Sequence, residues 1–302
     1  MRSRIQGIDH VVIAVRDLDA ARAAYQRLGF RLTPLGLHSL GSQNHCIVFE
    51  RDYLELMAVP RPHPALQYFS DFLARGEGLA AIALATDDAV GLCAELAADG
   101  IAAEAPLDFS RPVAGLGEAR FRIVQLPLDR SPGCRIFACQ HFTRELVWRP
   151  EYQRHAVGAT GIAALAVVVE DPAAAAASYG RLFDARPQKI DDELLVPTGS
   201  APSALASRSH LGHRLDGAGA AAAGGGAVHP RRRPREGRER ATPQRREACR
   251  PARRLLRRQR GGRARRSRNL RLARLLQRAR RLQREIGQYA VGAGALHRQQ
   301  RL

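Results

Sequence analysis

A strand, an aspartate and a helix recur three times along the first two hundred residues, in a register too regular for chance. Residues 7–15 are β-branched and apolar and read as a buried strand. Asp17 follows at a helix N-cap, and an alanine-rich amphipathic stretch through Leu28 ends at Gly29. The order returns with a strand at 79–85, Asp88, a helix at 89–98 and Gly100, and again with a strand at 162–169, Asp171-Pro172 and a helix at 173–183. Asp17 precedes Tyr25 by eight residues, as Asp171 precedes Tyr179; Asp17 precedes Phe30 by thirteen, as Asp88 precedes Ile101. Further strands are predicted at 30–33, 46–49 and 53–59, at 101–105, 119–126 and 135–140, and near 192–196. A βαβββ unit leaves one sheet face uncovered, and pairing two units buries it. The fold class is therefore α+β, with modules at residues 5–59 and 78–141 inside a domain spanning 5–150, and a further, incomplete unit at 156–197.

Composition breaks near residue 200. The 302-residue chain carries a formal net charge of +19, but residues 1–200 balance at −4 and residues 201–302 at +23. Of the 16 aromatic residues only Tyr289 lies beyond position 200, and Lys189 is the only lysine. The repeat also stops before closing strands can be recognised. Three readings of the segment 198–302 compete. Its arginine runs, such as 231–235, suit a disordered nucleic-acid-binding tail. Leu272, Leu275, Leu276, Ala279, Leu282 and Ile286 suit a basic helix for a membrane surface or a partner. A GC-rich gene translated in the wrong frame also yields Arg, Ala, Gly and Pro, and this third reading is preferred. No apolar run approaches the roughly 20 residues of a membrane helix. The five cysteines are scattered and odd in number, and no signal-peptide stretch precedes the first strand, so a cytoplasmic protein with free thiols is expected.

Specific motifs lie within the repeat. Ile8-Asp9-His10-Val11-Val12 with Asp17-Leu18, Leu28-Gly29-Phe30 and Tyr53-Leu54-Glu55-Leu56 resemble the vicinal-oxygen-chelate superfamily of glyoxalase I, bleomycin-resistance proteins and extradiol dioxygenases. Asn44-His45, Cys139-Gln140-His141, Trp148, Pro150 and His155 are similar to its glyoxalase-like domain branch. The resemblance covers about residues 5–197. It implies a cupped mixed sheet built by paired modules around a metal site, with a His or Gln ligand on a module's first strand and a Glu on its last.

His10 and Glu55 occupy those positions. On an alternating strand His10 shares a face with Ile8, Val12 and Ala14, and Glu55 sits between Leu54 and Leu56 where a buried carboxylate needs a partner. The second module offers Ala80 or Ala81 where a ligand belongs, so the third ligand is sought at its end, in His141. His10, Glu55 and His141 would hold a divalent ion (Zn, Fe, Mn or Ni), and Glu55, if not a tight ligand, would serve as the catalytic proton shuttle. His38 and His45 are alternatives, His45 being equally suited to a hydrogen bond within a loop; His155 is assigned to the connector after the paired modules. Cys46 and Cys139 read as inert buried thiols, residues 39–42 as a turn beside the cavity, and Tyr68, Phe69, Phe72 and Leu73 as core packing. No phosphate-binding glycine loop is present. The implied activity is a metal-dependent lyase, isomerase or dioxygenase on a small oxygenated substrate. The alternatives are a metal-free small-molecule binder of the same fold, and nucleic-acid binding if the tail is genuine. Such modules pair within a chain or between chains, which leaves a homodimer open.

Overall fold

The computed structural model describes residues 2–190, 193–206 and 227–232. The first module comprises β1 (Gly7–Ala14), α1 (Leu18–Arg27), β2 (Gly36–Leu37), β3 (Gln43–Val48) and β4 (Tyr53–Ala58). A 3-10 turn at Pro64–Leu66 and α2 (Gln67–Arg75) lead into the second, with β5 (Gly78–Ala85), α3 (Ala89–Ala98), β6 (Leu107–Val113), β7 (Gly117–Gln125) and β8 (Arg135–His141). All three repeat aspartates are N-caps: Asp17 accepts from Ala20 N, Asp88 from Gly91 N, and Asp171 from Ala173 N and Ala174 N.

The two modules form one eight-stranded sheet in the order β2-β3-β4-β1-β5-β8-β7-β6. Its middle is the antiparallel pairing of β1 with β5, and its ends almost meet, with Ser39 N donating to Ser110 O at 2.8 Å. The sheet is therefore a nearly closed cup. Val12, Ala14, Cys46, Val48, Tyr53, Met57, Phe121 and Phe137 line the concave side, and Leu66, Phe69 and Phe72 of the turn and α2 pack against them. Ile8, Val11, Leu54, Ile82 and Ile136 face the other way, toward helix α3 and the helix that follows Asp171.

Two predicted strands are absent. Residues 30–33 give a single ladder-like contact, Thr33 N to Cys46 O at 2.9 Å, before Pro34 interrupts. Residues 101–105 are irregular, and the strand of that position is β6 instead. Pro112 hides β6 in the sequence; on the last strand of the sheet its missing N–H breaks no ladder.

The third module runs further than expected. It consists of β9 (Ala159–Val168), α4 (Pro172–Phe183), β10 (Gln188–Ile190), β11 (Glu193–Val196) and β12 (Ser203–Ala206). The strand β12 pairs parallel with β9, as β4 does with β1, so a closing strand lies beyond residue 197 after all. Ser-Ala-Leu-Ala is too short and too small-chained to register as a strand. A last strand, β13 (Ala227–Arg232), runs antiparallel to β9, the relation that β5 has to β1. This second sheet, β10-β11-β12-β9-β13, repeats the first half of the cup. The third module is docked by Tyr179 Oη donating to Pro132 O (2.9 Å), Arg2 Nε to Leu182 O (2.7 Å) and Ile162 N to Asp52 Oδ1 (2.9 Å). Most of the arginine-rich segment, with the nucleic-acid, basic-helix and reading-frame interpretations attached to it, lies outside the described residues. Among the described residues no helix is long and apolar enough to cross a membrane.

Candidate metal and substrate site

A bulge in β1 shapes the site. The pairing of β1 with β5 slips between Ile8 and His10, leaving Asp9 as the extra residue. Strict alternation would put Ile8 on the face of His10. The slip turns Ile8 outward, into the same core as Val11, and brings Asp9 and His10 side by side.

Asp9 is 1% exposed and accepts from both neighbouring imidazoles, His10 Nδ1 at 2.7 Å and His141 Nε2 at 2.9 Å. Burial works to raise its carboxyl, but the charge of His141 and the hydrogen bonds of both rings hold it well below the ordinary carboxylate range. Arg144 adds a cation 3.5 Å from Oδ1. The His10 ring is stacked on Tyr53 with centroids 4.4 Å apart, and Phe137 meets it edge-on.

With Nδ1 committed to Asp9, His10 presents Nε2 to the cup, 3.6 Å from Glu55 Oε2. Asn44 Nδ2 donates to Glu55 Oε1 at 2.6 Å, and His38 Nε2 stands 3.9 Å from that oxygen. The other nitrogen of His38 lies 2.8 Å from Ser42 Oγ, and Phe109 and Phe121 meet the ring edge-on. Burial pushes His38 down to about 4, against the pull of Glu55 and with help from Arg111, so its imidazole is neutral at pH 7. These groups line a cavity of about 70 Å³ walled by Phe109, Phe121, Phe137, Met57 and Leu66.

Of the three residues expected to share one ion, His10 and Glu55 meet. His141 sits on the opposite edge of the His10 ring, against Asp9, and its Nδ1 is buried without a partner among the described residues. One ligand atom each from Asp9, His10, Cys139 and His141 fall within 4.8 Å of one another, so a second donor group adjoins the first through His10. Both imidazoles already occupy one Asp9 oxygen, and burial together with the Asp9 and Glu55 charges pushes the Cys139 thiol well above its usual value.

Register explains why the cup is chemically one-sided. Glu55 pairs with Val12, two residues beyond His10. In the second module Phe137 pairs with Ala83, two beyond Ala81; in the third Ala204 pairs with Ala166, two beyond Ala164. The places equivalent to His10 and Glu55 are thus Ala81 and Phe137, then Ala164 and Ala204.

His45 and His155 are structural. His45 Nδ1 contacts Thr33 O at 2.8 Å, not Asn44. His155 donates from Nε2 to Val48 O and accepts from Arg31 N, both at 3.0 Å, tying the connector to the first module. Tyr68, Phe69, Phe72 and Leu73 pack on the cup as expected. Asp9, Asn44 and Arg111 were given no role from the sequence, although Asp9 and Asn44 stand in the motifs quoted above; Arg111 had no signal, and the part of Asp9 required the bulge to be known.

Residues 8–183 match the family described as glyoxalase-like domain. Among solved structures the chain is similar to a hypothetical protein from Staphylococcus aureus, with a TM-score of 0.57 at 15% identity over 66% of this chain and 85% of that one. At that identity the likeness speaks for the fold alone. Methylmalonyl-CoA epimerase from Mycobacterium tuberculosis aligns over 46% of this chain and 91% of its own, with a TM-score of 0.38 and 23% identity. No curated protein matches the chain.

Proposed function

Because the chain belongs to the glyoxalase-like domain family, we propose that its eight-stranded cup is a chamber where a divalent metal and the Glu55 carboxylate act on a small oxygenated molecule. The orientation of His10 carries this reading. Asp9 takes one ring nitrogen and turns the other toward Glu55, the outer-carboxylate arrangement that metal-binding histidines use. His10 Nε2, His38 Nε2 and a Glu55 oxygen would be the donors. Two neutral imidazoles and a carboxylate suit Zn, Fe, Mn or Ni, and the neutrality of His38 fits that role. His38 takes the part first sought in His141.

Bound there, the ion would supply Lewis-acid polarisation of a substrate oxygen. The chain's own residues do the rest. Asn44 holds Glu55 Oε1, so Oε2 is the oxygen that either ligates the ion or, where Glu55 is not a tight ligand, exchanges a proton with the substrate. Asp9 fixes the His10 tautomer, and the phenylalanine walls exclude water. Proton transfer beside a carbonyl, as in a lyase or isomerase, follows most directly; dioxygenase chemistry is the neighbouring option. The free thiols of Cys46, Cys93, Cys134 and Cys139 support a cytoplasmic setting.

A second reading has its own observation. Glu55 already accepts a hydrogen bond from Asn44, so the cup can hold a small molecule without metal. Metal analysis of the purified full-length chain separates the two, since a metal-free binder carries no ion and takes none up.

A further inference from the structure

Two arginines that the chemistry above leaves unused line the cup, Arg111 and Arg135, and they differ in their partners. Arg111, on β6, is 7% exposed and lines the same cavity as His10, His38 and Glu55. Strand alternation puts it on the face of Phe109 and Val113, which pack into the cup. A Cβ at Gly36 would fall 3.1 Å from Arg111 Cδ and 2.2 Å from Asn44 Oδ1, so the arginine stem lies beside the amide that holds Glu55.

The other buried arginines are matched. Arg2 bonds Asp99 and the carbonyl of Leu182, and Arg135 bonds Glu104 and Gln125. Arg111 has neither a carboxylate at ion-pair distance nor a side-chain hydrogen bond among the described residues. A guanidinium stays protonated, and a buried charge without a partner is among the least favourable groups a fold can carry. Its retention in an aromatic chamber points to a counter-charge that arrives with a ligand.

We propose that Arg111 receives the carboxylate of the substrate, and that the cup takes a small monoanionic acid with a second oxygen beside the carboxyl group, a 2-oxo or 2-hydroxy acid. This rests on the cup being the reaction chamber, as above. At about 10–15 Å³ per water-sized group, a cavity of about 70 Å³ holds about five to seven such groups, the scale of a three-carbon acid. A single unmatched cation fits a single negative charge; a phosphate monoester would bring nearly two. The planar guanidinium fork meets a carboxylate through two parallel hydrogen bonds. The second oxygen then falls to the His10–Glu55–His38 end of the chamber.

Calorimetric titration of the full-length protein with pyruvate and lactate, against uncharged pyruvamide and hydroxyacetone, tests this. The acids are expected to bind at least tenfold more tightly than their isosteres, and Arg111→Gln should erase that preference while metal uptake stays unchanged. Equal binding of acids and isosteres by the wild type, or a preference that survives Arg111→Gln, overturns the inference. An Arg111-dependent preference in a protein that takes up no metal supports it and removes the metal reading alone. Arg111→Met gives a readout independent of ligand. Relieved of an unmatched buried charge, the variant should melt at a higher temperature than wild type; a lower one would make Arg111 a structural residue and overturn the assignment.

Discussion

Asp9 accepts a hydrogen bond from His10 Nδ1 at 2.7 Å, and that contact decides which nitrogen of the ring meets Glu55. The arrangement exists because a one-residue slip in β1 puts the carboxylate and the imidazole next to each other. Asp9→Asn keeps the shape but weakens the acceptor, so the His10 tautomer is no longer fixed. Divalent-metal affinity, measured by competition with a chelator, should fall about ten- to a hundredfold. An unchanged affinity would detach Asp9 from the site.

Glu55→Gln discriminates between the two donor groups that share His10. Gln keeps an oxygen for Asn44, so the fold should survive and the near-ultraviolet spectrum should match wild type. Metal affinity should drop more than tenfold. Cys139→Ser should leave it within about twofold, because a thiol pushed far above its usual value remains protonated. The reverse pattern, with Cys139→Ser abolishing binding and Glu55→Gln having no effect, would move the ion to the Asp9–His141 side.

Much of this fold was legible because its signals are local. Asp17, Asp88 and Asp171 mark helix starts through short-range caps, and the apolar strands β1, β5 and β9 stand out by β-branching or continuous apolarity. Glu55 was legible as a lone carboxylate inside an apolar strand. What failed depended on partners. Edge strands such as β6 tolerate a proline that a central strand would not, and the β1 bulge follows from pairing with β5, which no window of sequence around Asp9 contains. His141, sought as a ligand because it ends the last strand of its module, lies with Asp9, His10 and Cys139 among possible donors rather than beside Glu55. The position that pairs like Glu55 lies four residues earlier, at Phe137, and only the register reveals it.

Acid should loosen the molecule in a defined window. The folded protein holds His38 near 4, below the ordinary imidazole value of 6.5, so the fold favours the neutral ring. The corresponding stability is fully present above the unfolded-state value and is lost as pH falls from about 6.5 to about 4, to a total of about 3 kcal/mol. His155, lowered by burial, contributes in the same direction. Urea midpoints at pH 7.5 and 4.5 should therefore differ, and His38→Gln should remove a large part of the difference. An equal difference in variant and wild type would mean that the fold does not lower His38.

The third module leans on a turn that only glycine allows. Gly133 has φ +92°, and a Cβ there would lie 2.6 Å from Val167 Cγ1 and 2.9 Å from Val168 O. The same turn receives Tyr179 Oη at Pro132 O and Ser178 Oγ at Arg130 O, both at 2.9 Å. Gly133→Ala therefore combines a strained backbone with a collision against β9 and should cost about 2–4 kcal/mol. Gly115→Ala supplies the control: Gly115 has φ +73°, but a Cβ there would meet nothing within 4 Å, and the change should cost only about 1 kcal/mol. Trp148, the single tryptophan, packs on Tyr53 and His141 and reports unfolding of the cup in urea. A larger loss in Gly133→Ala than in Gly115→Ala, seen by Trp148, would show that docking of the third module stabilises the cup. Equal losses would mean that the cup stands without it.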